Sequence, residues 1–314
     1  MLTLQNKPTH GIEKSYQYRG RFAPSPSGFL HFGSLIAALA SFLDAKSCND
    51  IKNNQGKWLV RLDDIDPPRE QAGASSAILK TLDAFGLHWD ETELYQSKQH
   101  KYYRDILTHL IQRNSSYYCQ CSRADIKAIG GIYQGYCRQQ NIQATNGAIR
   151  LVNNYGIHKF VDIFQGNVNC NRKMANEDFI IHRKDGLFAY QLAVVADDIA
   201  QNITHVVRGC DLLEPTSRQL TLFKTLKALG ISCSSPQYGH VPLAVSRSGY
   251  KLSKQNKAPS IDNNNPQPSL IAALQFLGQQ PPNDLIYSNV DDIIIWATQH
   301  WQRKKVPKTH EINI

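Results

Sequence analysis

The stretch Arg21-Phe22-Ala23-Pro24-Ser25-Pro26-Ser27-Gly28-Phe29-Leu30-His31-Phe32-Gly33-Ser34 decides how the chain folds. Residues 16–23 (YQYRGRFA) can form a strand, and the breakers from Pro24 to Gly28 end it. From Gly33 onward the apolar positions Leu35, Leu39 and Phe42 recur at helical spacing, and Ala37, Ala38 and Ala40 add helix propensity. Strand, Gly/Pro turn and helix together open a nucleotide-binding α/β unit. The first turn of such a helix presents backbone N–H donors and the positive end of the helix dipole, which suits the phosphates of ATP. Gly28 and Gly33 let the backbone approach a ligand closely. His31 can donate to phosphate oxygens as charge develops in a transition state.

Working outward, Trp58-Leu59-Val60-Arg61-Leu62 reads as a second buried strand, ending in the acidic stretch Asp63-Asp64-Ile65-Asp66-Pro67. A helix is expected over 70–85, with Ile78, Leu79, Leu82 and Phe85 on one face and Gly86 as its stop. Another is expected over 98–112. Residues 113–172 are rich in Tyr, Cys, Gly and Asn and read as an insertion between two halves of one sheet. Alternation of helix and strand returns over 179–199 and 203–208, followed by a helix over 216–229. Two helices, 268–278 and 289–302, are expected in the tail, which ends in the basic stretch WQRKKVPK. The expected division is a first catalytic half (1–112), an insertion (113–172), a second catalytic half (173–245) and a C-terminal helical region (246–314).

The 314 residues are 41% hydrophobic and 19% charged, as in a globular domain with a sizeable core. Lys and Arg exceed Asp and Glu by nine, which suits a polyanionic partner. The opening MLTLQNKPTHGIEKSYQY is too polar for a signal peptide, and no apolar run approaches the roughly 20 residues of a membrane span. With no secretion signal, the seven cysteines read as reduced thiols, so a cytoplasmic protein without membrane contact is expected, monomeric by default. No G-x-G-x-x-G follows the first strand, which argues against a dinucleotide-binding dehydrogenase.

Two further groups carry chemistry. Lys251 and Lys254 flank Leu252 and Ser253 in a polar loop; read alone this is a solvated loop, but together with the turn at His31 and Gly33 the two lysines can neutralise phosphate charge. Cys119 and Cys121 share one face of an expected strand, and Tyr133 and Cys137 have the spacing of one helix face. With Cys137 the cysteines offer three thiolates to a structural Zn²⁺ and leave a fourth ligand open; buried, reduced thiols are the alternative.

The segments RFAPSPSGFLHFGSL, RLDDIDPPRE, DFIIHRKDGLFAYQLAVVADD, ITHVVRGCDLLEPTSRQ and KLSKQNKAP resemble, in sequence and order, the glutamyl-tRNA synthetase group of class I aminoacyl-tRNA synthetases. The resemblance implies a Rossmann-type α/β fold with a small zinc-containing insertion and a C-terminal helical region like a stem-contact domain. It makes His31, Lys251 and Lys254 the catalytic residues, in the positions of the HIGH and KMSKS signatures. The implied ATP site is Pro24, Ser25, Gly28, His31, Gly33, Ser34 and Lys251 to Lys254, with Mg²⁺ bridging the phosphates. The implied glutamate site is Arg21, Phe22, Ala23, Pro24, Ser25, Asp63, Tyr190 and Arg208. Two arginines suit a substrate with two carboxylates, because the guanidinium fork binds carboxylate bidentately. A surface ion pair with Asp211 is the rival reading for Arg208. The group commonly has Glu where this chain has Asp63, one methylene shorter. The resemblance also points to Tyr133 as the fourth zinc ligand, with water or Tyr136 as the fallback.

Only residues 255–314 follow the KLSK stretch, too few for a large anticodon-binding module. Within the group this points to the short branch, which activates L-glutamate without tRNA and transfers it to the queuosine base in the anticodon of tRNA(Asp). Charging of a tRNA 3′ end and an inactive tRNA-binding paralogue are the alternatives. Arg123, Lys127, Arg138, Lys304 and Lys305 are candidate tRNA contacts.

Overall fold

The structure is a computed structural model that describes residues 17–48, 55–143, 147–246 and 259–314. The chain opens with β1 (Arg19–Phe22), α1 (Phe32–Lys46), β2 (Lys57–Leu62), α2 (Ala74–Ala84), β3 (Leu94–Tyr95) and α3 (His100–Gln112). Then come β4 (Ser116–Cys119), α4 (Arg123–Ala128), β5 (Ala148–Leu151), β6 (Lys159–Asp162), β7 (Gly166–Asn169), α5 (Arg172–Ala175) and β8 (Ile180–His182). The remainder is α6 (Tyr190–Ala200), β9 (His205–Gly209), α7 (Thr216–Ala228), β10 (Gln237–Val241), β11 (Leu243–Val245), α8 (Gln267–Phe276), α9 (Val290–His300) and β12 (Glu311–Asn313).

β1, β2 and β3 are parallel neighbours, and β9, β10 and β6 form a second parallel set, closed by the antiparallel hairpin β6–β7. The two sets meet at β1 and β9, where Thr204 N–H donates to the Arg19 carbonyl at 2.9 Å. The spatial succession is therefore β3-β2-β1-β9-β10-β6-β7. Winding reverses between β1 and β9, and in such sheets the ligand crevice lies beyond the strand ends at that reversal. Arg21 and Phe22 close β1 there, and Arg208 and Gly209 close β9.

α1 is apolar nearly all round because it lies between the sheet and the C-terminal helices; Leu35, Ile36, Ala38, Leu39, Ala40 and Leu43 are all buried. After α2, Gly86 adopts φ +68, and Leu87 N–H closes back on the Leu82 carbonyl, a left-handed helix stop that favours glycine. A second core joins α3, α6 and α7 through Tyr103, Leu107, Leu192, Leu222 and Leu226. The C-terminal segment is tied to α1 through buried Asp44, which accepts from Arg303 Nε at 2.7 Å, Trp301 Nε1 at 3.0 Å and the Tyr18 hydroxyl. No helix among the described residues is long and apolar enough to cross a membrane.

Candidate active site

A cavity of about 440 Å³ opens at the reversal between β1 and β9. Arg21, Phe22, Ala23, Pro24, Ser25, His31, Gly33, Ser34, Tyr190 and Arg208 all line it, so most of the expected ATP and glutamate residues converge on one space. Gly28 does not line it; its φ of +142 shapes the turn instead. Lys251, Leu252, Ser253 and Lys254 lie outside the described residues. Where the described residues resume, the chain lies against the nucleotide turn: Ser260 bridges His31, and Ile261 N–H donates to the Leu30 carbonyl at 3.2 Å.

His31 caps α1, its Nδ1 accepting from Ser34 N–H at 3.3 Å. That bond places the proton of the neutral ring on Nε2. Phe32 and Gly33, in the same first turn, have backbone N–H groups with no acceptor inside the helix.

Of the three arginines that line the cavity, Arg69 is exposed, whereas Arg21 and Arg208 are only 3% and 5% exposed, and each of these two is gripped along one edge. Arg21 Nε and Nη2 donate to the two carboxylate oxygens of Asp198 at 3.1 and 3.2 Å. Arg208 Nη2 donates to Thr216 Oγ1 at 2.7 Å, Gln219 Oε1 at 2.8 Å and the Leu212 carbonyl at 3.3 Å. Arg208 Nε donates to His240 Nε2 at 3.1 Å. Its Nη1 is buried with no hydrogen-bond partner, and among the described residues no ion pair joins Arg208 to a carboxylate, Asp211 included. The bidentate fork expected from sequence is thus already engaged by the scaffold along one edge, and Nη1 is the Arg208 nitrogen left without a partner. Burial lowers the pKa of Arg208, as it must for a cation held without a counter-ion. Such a group costs several kcal/mol unless an anion joins it.

Asp63 departs from expectation. It is 8% exposed but absent from the cavity wall, because its carboxylate is held by Arg61 Nε at 2.8 Å. Its backbone N–H donates to the Pro24 carbonyl at 3.0 Å, which keeps it directly behind the wall. Asp64 is occupied by Ser97, whose N–H and hydroxyl donate to it at 2.8 and 2.7 Å. Arg61 also donates to Asp198 at 2.7 Å and lies 3.6 Å from Asp197. Arg21, Arg61, Asp63, Asp197 and Asp198 therefore form one buried charge cluster. Burial pushes Asp198 up, but Arg21 and Arg61 outweigh it and hold its carboxyl below the usual range. Burial pushes Asp63 up against the pull of Arg61.

Sequence reasoning missed Arg61, Asp198, Asp162 and His240. A signal existed for the first two: an arginine inside the apolar run WLVRL, and adjacent carboxylates in LAVVADDI. Asp162 and His240 had no comparable signal.

The cysteine cluster assembles differently from the sequence reading. β4 ends at Cys119, so Cys121 follows the strand, and Tyr133 precedes a short 3₁₀ turn that contains Cys137. The three Sγ atoms nonetheless lie within 4.8 Å of one another, with Cys121 and Cys137 at 3.5 Å. Tetrahedral thiolates about 2.3 Å from a zinc ion sit roughly 3.8 Å apart, so the cluster fits. The Tyr133 oxygen faces the same group, accepting from Cys137 N–H at 2.8 Å. Burial, with the neighbouring sulfurs, pushes the Cys121 thiol up to about 12.

Residues 17–294 match the family described as tRNA synthetases class I (E and Q), catalytic domain. The chain is 69% identical over 302 residues to a glutamyl-Q tRNA(Asp) synthetase of Colwellia psychrerythraea, covering 96% of each chain. It is 49% identical over 297 residues to that of Escherichia coli K12, covering 95% of this chain and 93% of the other. Its fold is similar to a crystal structure of a glutamate tRNA ligase from Elizabethkingia meningosepticum in complex with its amino acid, with a TM-score of 0.74 at 23% identity. That match covers 94% of this chain and 66% of the other, so the chain spans about two-thirds of the solved ligase's length.

Proposed function

The chain belongs to the class I tRNA synthetase family for E and Q, among the glutamyl-Q tRNA(Asp) synthetases, and on that premise we propose that it is an ATP-dependent ligase that activates L-glutamate and transfers it to the queuosine base of tRNA(Asp). The observation that carries the reading is the pair Arg21 and Arg208, buried, fixed along one edge, and facing one cavity beside the start of α1. They suit the two carboxylates of glutamate.

In the first step a glutamate carboxylate oxygen attacks the α-phosphorus of ATP, bound as its magnesium complex. A P–O bond forms, the bond to the bridging oxygen breaks, and pyrophosphate leaves. The carboxylate is already ionised near neutral pH, so no general base is required. His31, with its proton on Nε2, and the first-turn N–H groups of α1 would stabilise the phosphate charge. Lys251 and Lys254 would neutralise the leaving pyrophosphate, a role supported by the return of the chain to His31 at Ser260. Tyr190 would contact the bound amino acid. Asp63 would act on its ammonium from behind Pro24. In the second step a queuosine hydroxyl oxygen attacks the acyl carbon, the bond from that carbon to the phosphate oxygen breaks, AMP leaves, and the hydroxyl proton is released to solvent.

Cys119, Cys121, Cys137 and Tyr133 would hold a structural zinc ion. The ion would staple the segment between α3 and β5, which has only a small core of its own. Arg123, Lys127, Arg138, Lys304 and Lys305 are proposed tRNA contacts, and the protein is proposed to be a cytoplasmic monomer.

The test uses labelled glutamate, ATP and two tRNA pools, with and without queuosine. Label confined to the queuosine-bearing pool is expected. Equal label on both pools would mean 3′-end charging. Label on neither, with no glutamate-dependent ATP–pyrophosphate exchange, would mean a tRNA-binding paralogue.

A further inference from the structure

Behind the cavity, on the far side of Arg208, lies a buried carboxylate–imidazole pair that the chemistry above does not use. Asp162 ends β6 and His240 lies in β10, and both side chains are fully buried. Asp162 Oδ1 accepts three backbone N–H groups, from Phe164 at 3.0 Å, Gln165 at 2.9 Å and His240 at 3.1 Å. Only Oδ2 remains, and it lies 2.6 Å from His240 Nδ1. The ring therefore carries its proton on Nδ1 and presents a lone pair at Nε2. That lone pair accepts Arg208 Nε–H at 3.1 Å. Thr216 Oγ1 is also 3.1 Å from Nε2, but its proton goes to the Leu212 carbonyl at 2.8 Å.

We infer that Asp162 and His240 are positioning residues for glutamate recognition: Asp162 selects the His240 tautomer, and that tautomer fixes the angle at which Arg208 presents Nη1 to the substrate. The inference rests on the reading of Arg208 as a glutamate ligand. The ring is the one partner of Nε, while Nη2 is shared among three acceptors. A guanidinium pinned at both points cannot rotate in its plane, so Nη1 has one direction. Burial, against the pull of Asp162, lowers the pKa of His240 and keeps the ring neutral, as the lone pair requires.

The substitution Asp162→Asn tests this. The three N–H donors require an oxygen at Oδ1, so the new NH₂ must face His240 Nδ1. The ring would then accept at Nδ1 and carry its proton on Nε2, donor against donor with Arg208 Nε. In glutamate-dependent ATP–pyrophosphate exchange, KM for glutamate should rise about 10- to 100-fold, while KM for ATP changes less than about twofold. Nitrogen-15 spectra of the imidazole should show the proton moved to Nε2. A second pair of variants guards against misfolding. His240→Gln can still donate to Asp162 and accept from Arg208, and should keep KM for glutamate within several-fold of wild type; His240→Leu should not. An unchanged KM for glutamate in Asp162→Asn with the tautomer switched, or in His240→Leu, overturns the inference. So does a parallel rise in both Michaelis constants, which would mean a general structural role. Wild-type protein without glutamate-dependent exchange would overturn the functional reading itself, and the inference with it.

Discussion

Replacing Asp197 with asparagine should stabilise the protein near pH 8 and change it little near pH 4. Asp197 belongs to the buried cluster of two arginines and three aspartates, which carries one excess negative charge when every member is ionised. The arginines favour its neighbours: Arg61 contacts Asp63 at 2.8 Å and Asp198 at 2.7 Å, but lies 3.6 Å from Asp197. The hydrogen bonds Asp197 accepts come from neutral donors, Gln96 Nε2 at 2.7 Å and the Tyr103 hydroxyl at 2.8 Å. Burial pushes its carboxyl up to about 7; Arg61 opposes this and Asp63 adds to it.

An aspartate in the unfolded chain titrates near pH ~3.9. A shift of about three pH units at ~1.36 kcal/mol each corresponds to about 4 kcal/mol. Because the folded-state pKa is raised, the folded chain holds a proton that the unfolded chain has released. This contribution is complete below about pH 4 and is lost as pH rises through about 7. Asparagine does not titrate, so the stability of the variant minus that of wild type should climb by about 4 kcal/mol between pH 4 and 8. At roughly 2 °C per kcal/mol for a chain of this size, the difference in melting temperature should move by about 8 °C. Thermal unfolding of both proteins, followed by circular dichroism at half-unit pH steps, reads it directly. A difference that stays flat across the window would refute the reasoning and mean that Asp197 is ionised throughout.

Asp63→Glu lengthens the carboxylate by one methylene past its bond to Arg61; KM for glutamate in pyrophosphate exchange should fall roughly 3- to 10-fold, and an unchanged or higher value would sink the idea. His31→Ala should lower kcat of the exchange about 100- to 1,000-fold with a smaller change in KM for ATP, because a donor to the developing phosphate charge is lost; an unaltered kcat would remove His31 from the chemistry. Purified protein should carry one zinc per chain by mass spectrometry, and chelation or Cys121→Ser should deplete the metal and lower the melting temperature; metal-free protein of undiminished stability would contradict the zinc reading.

What could be read from the sequence follows from the range over which each signal acts. The β1–α1 unit was legible because its breakers and its apolar period lie within some twenty-five consecutive residues, and α1 and β2 fall within a residue or so of the expected bounds. The cysteine cluster was legible as a group but not as a shape. C-x-C suggested a strand through Cys121, whereas β4 stops at Cys119, and the sulfurs converge through loop geometry that no periodicity encodes. Arg21 and Arg208 were legible as residue types, but what each has left to offer was not. That depends on Asp198, 177 positions from Arg21, and on His240, 32 positions from Arg208. The distinction decides the chemistry. A free arginine fork would have to give up its rotational freedom when a carboxylate arrives. An arginine already held along one edge has lost that freedom during folding, so little more is lost on binding. The cost falls instead on folding, which must bury Arg208 with no carboxylate paired to it among the described residues. The same burial that makes Arg208 costly makes an incoming carboxylate its natural partner.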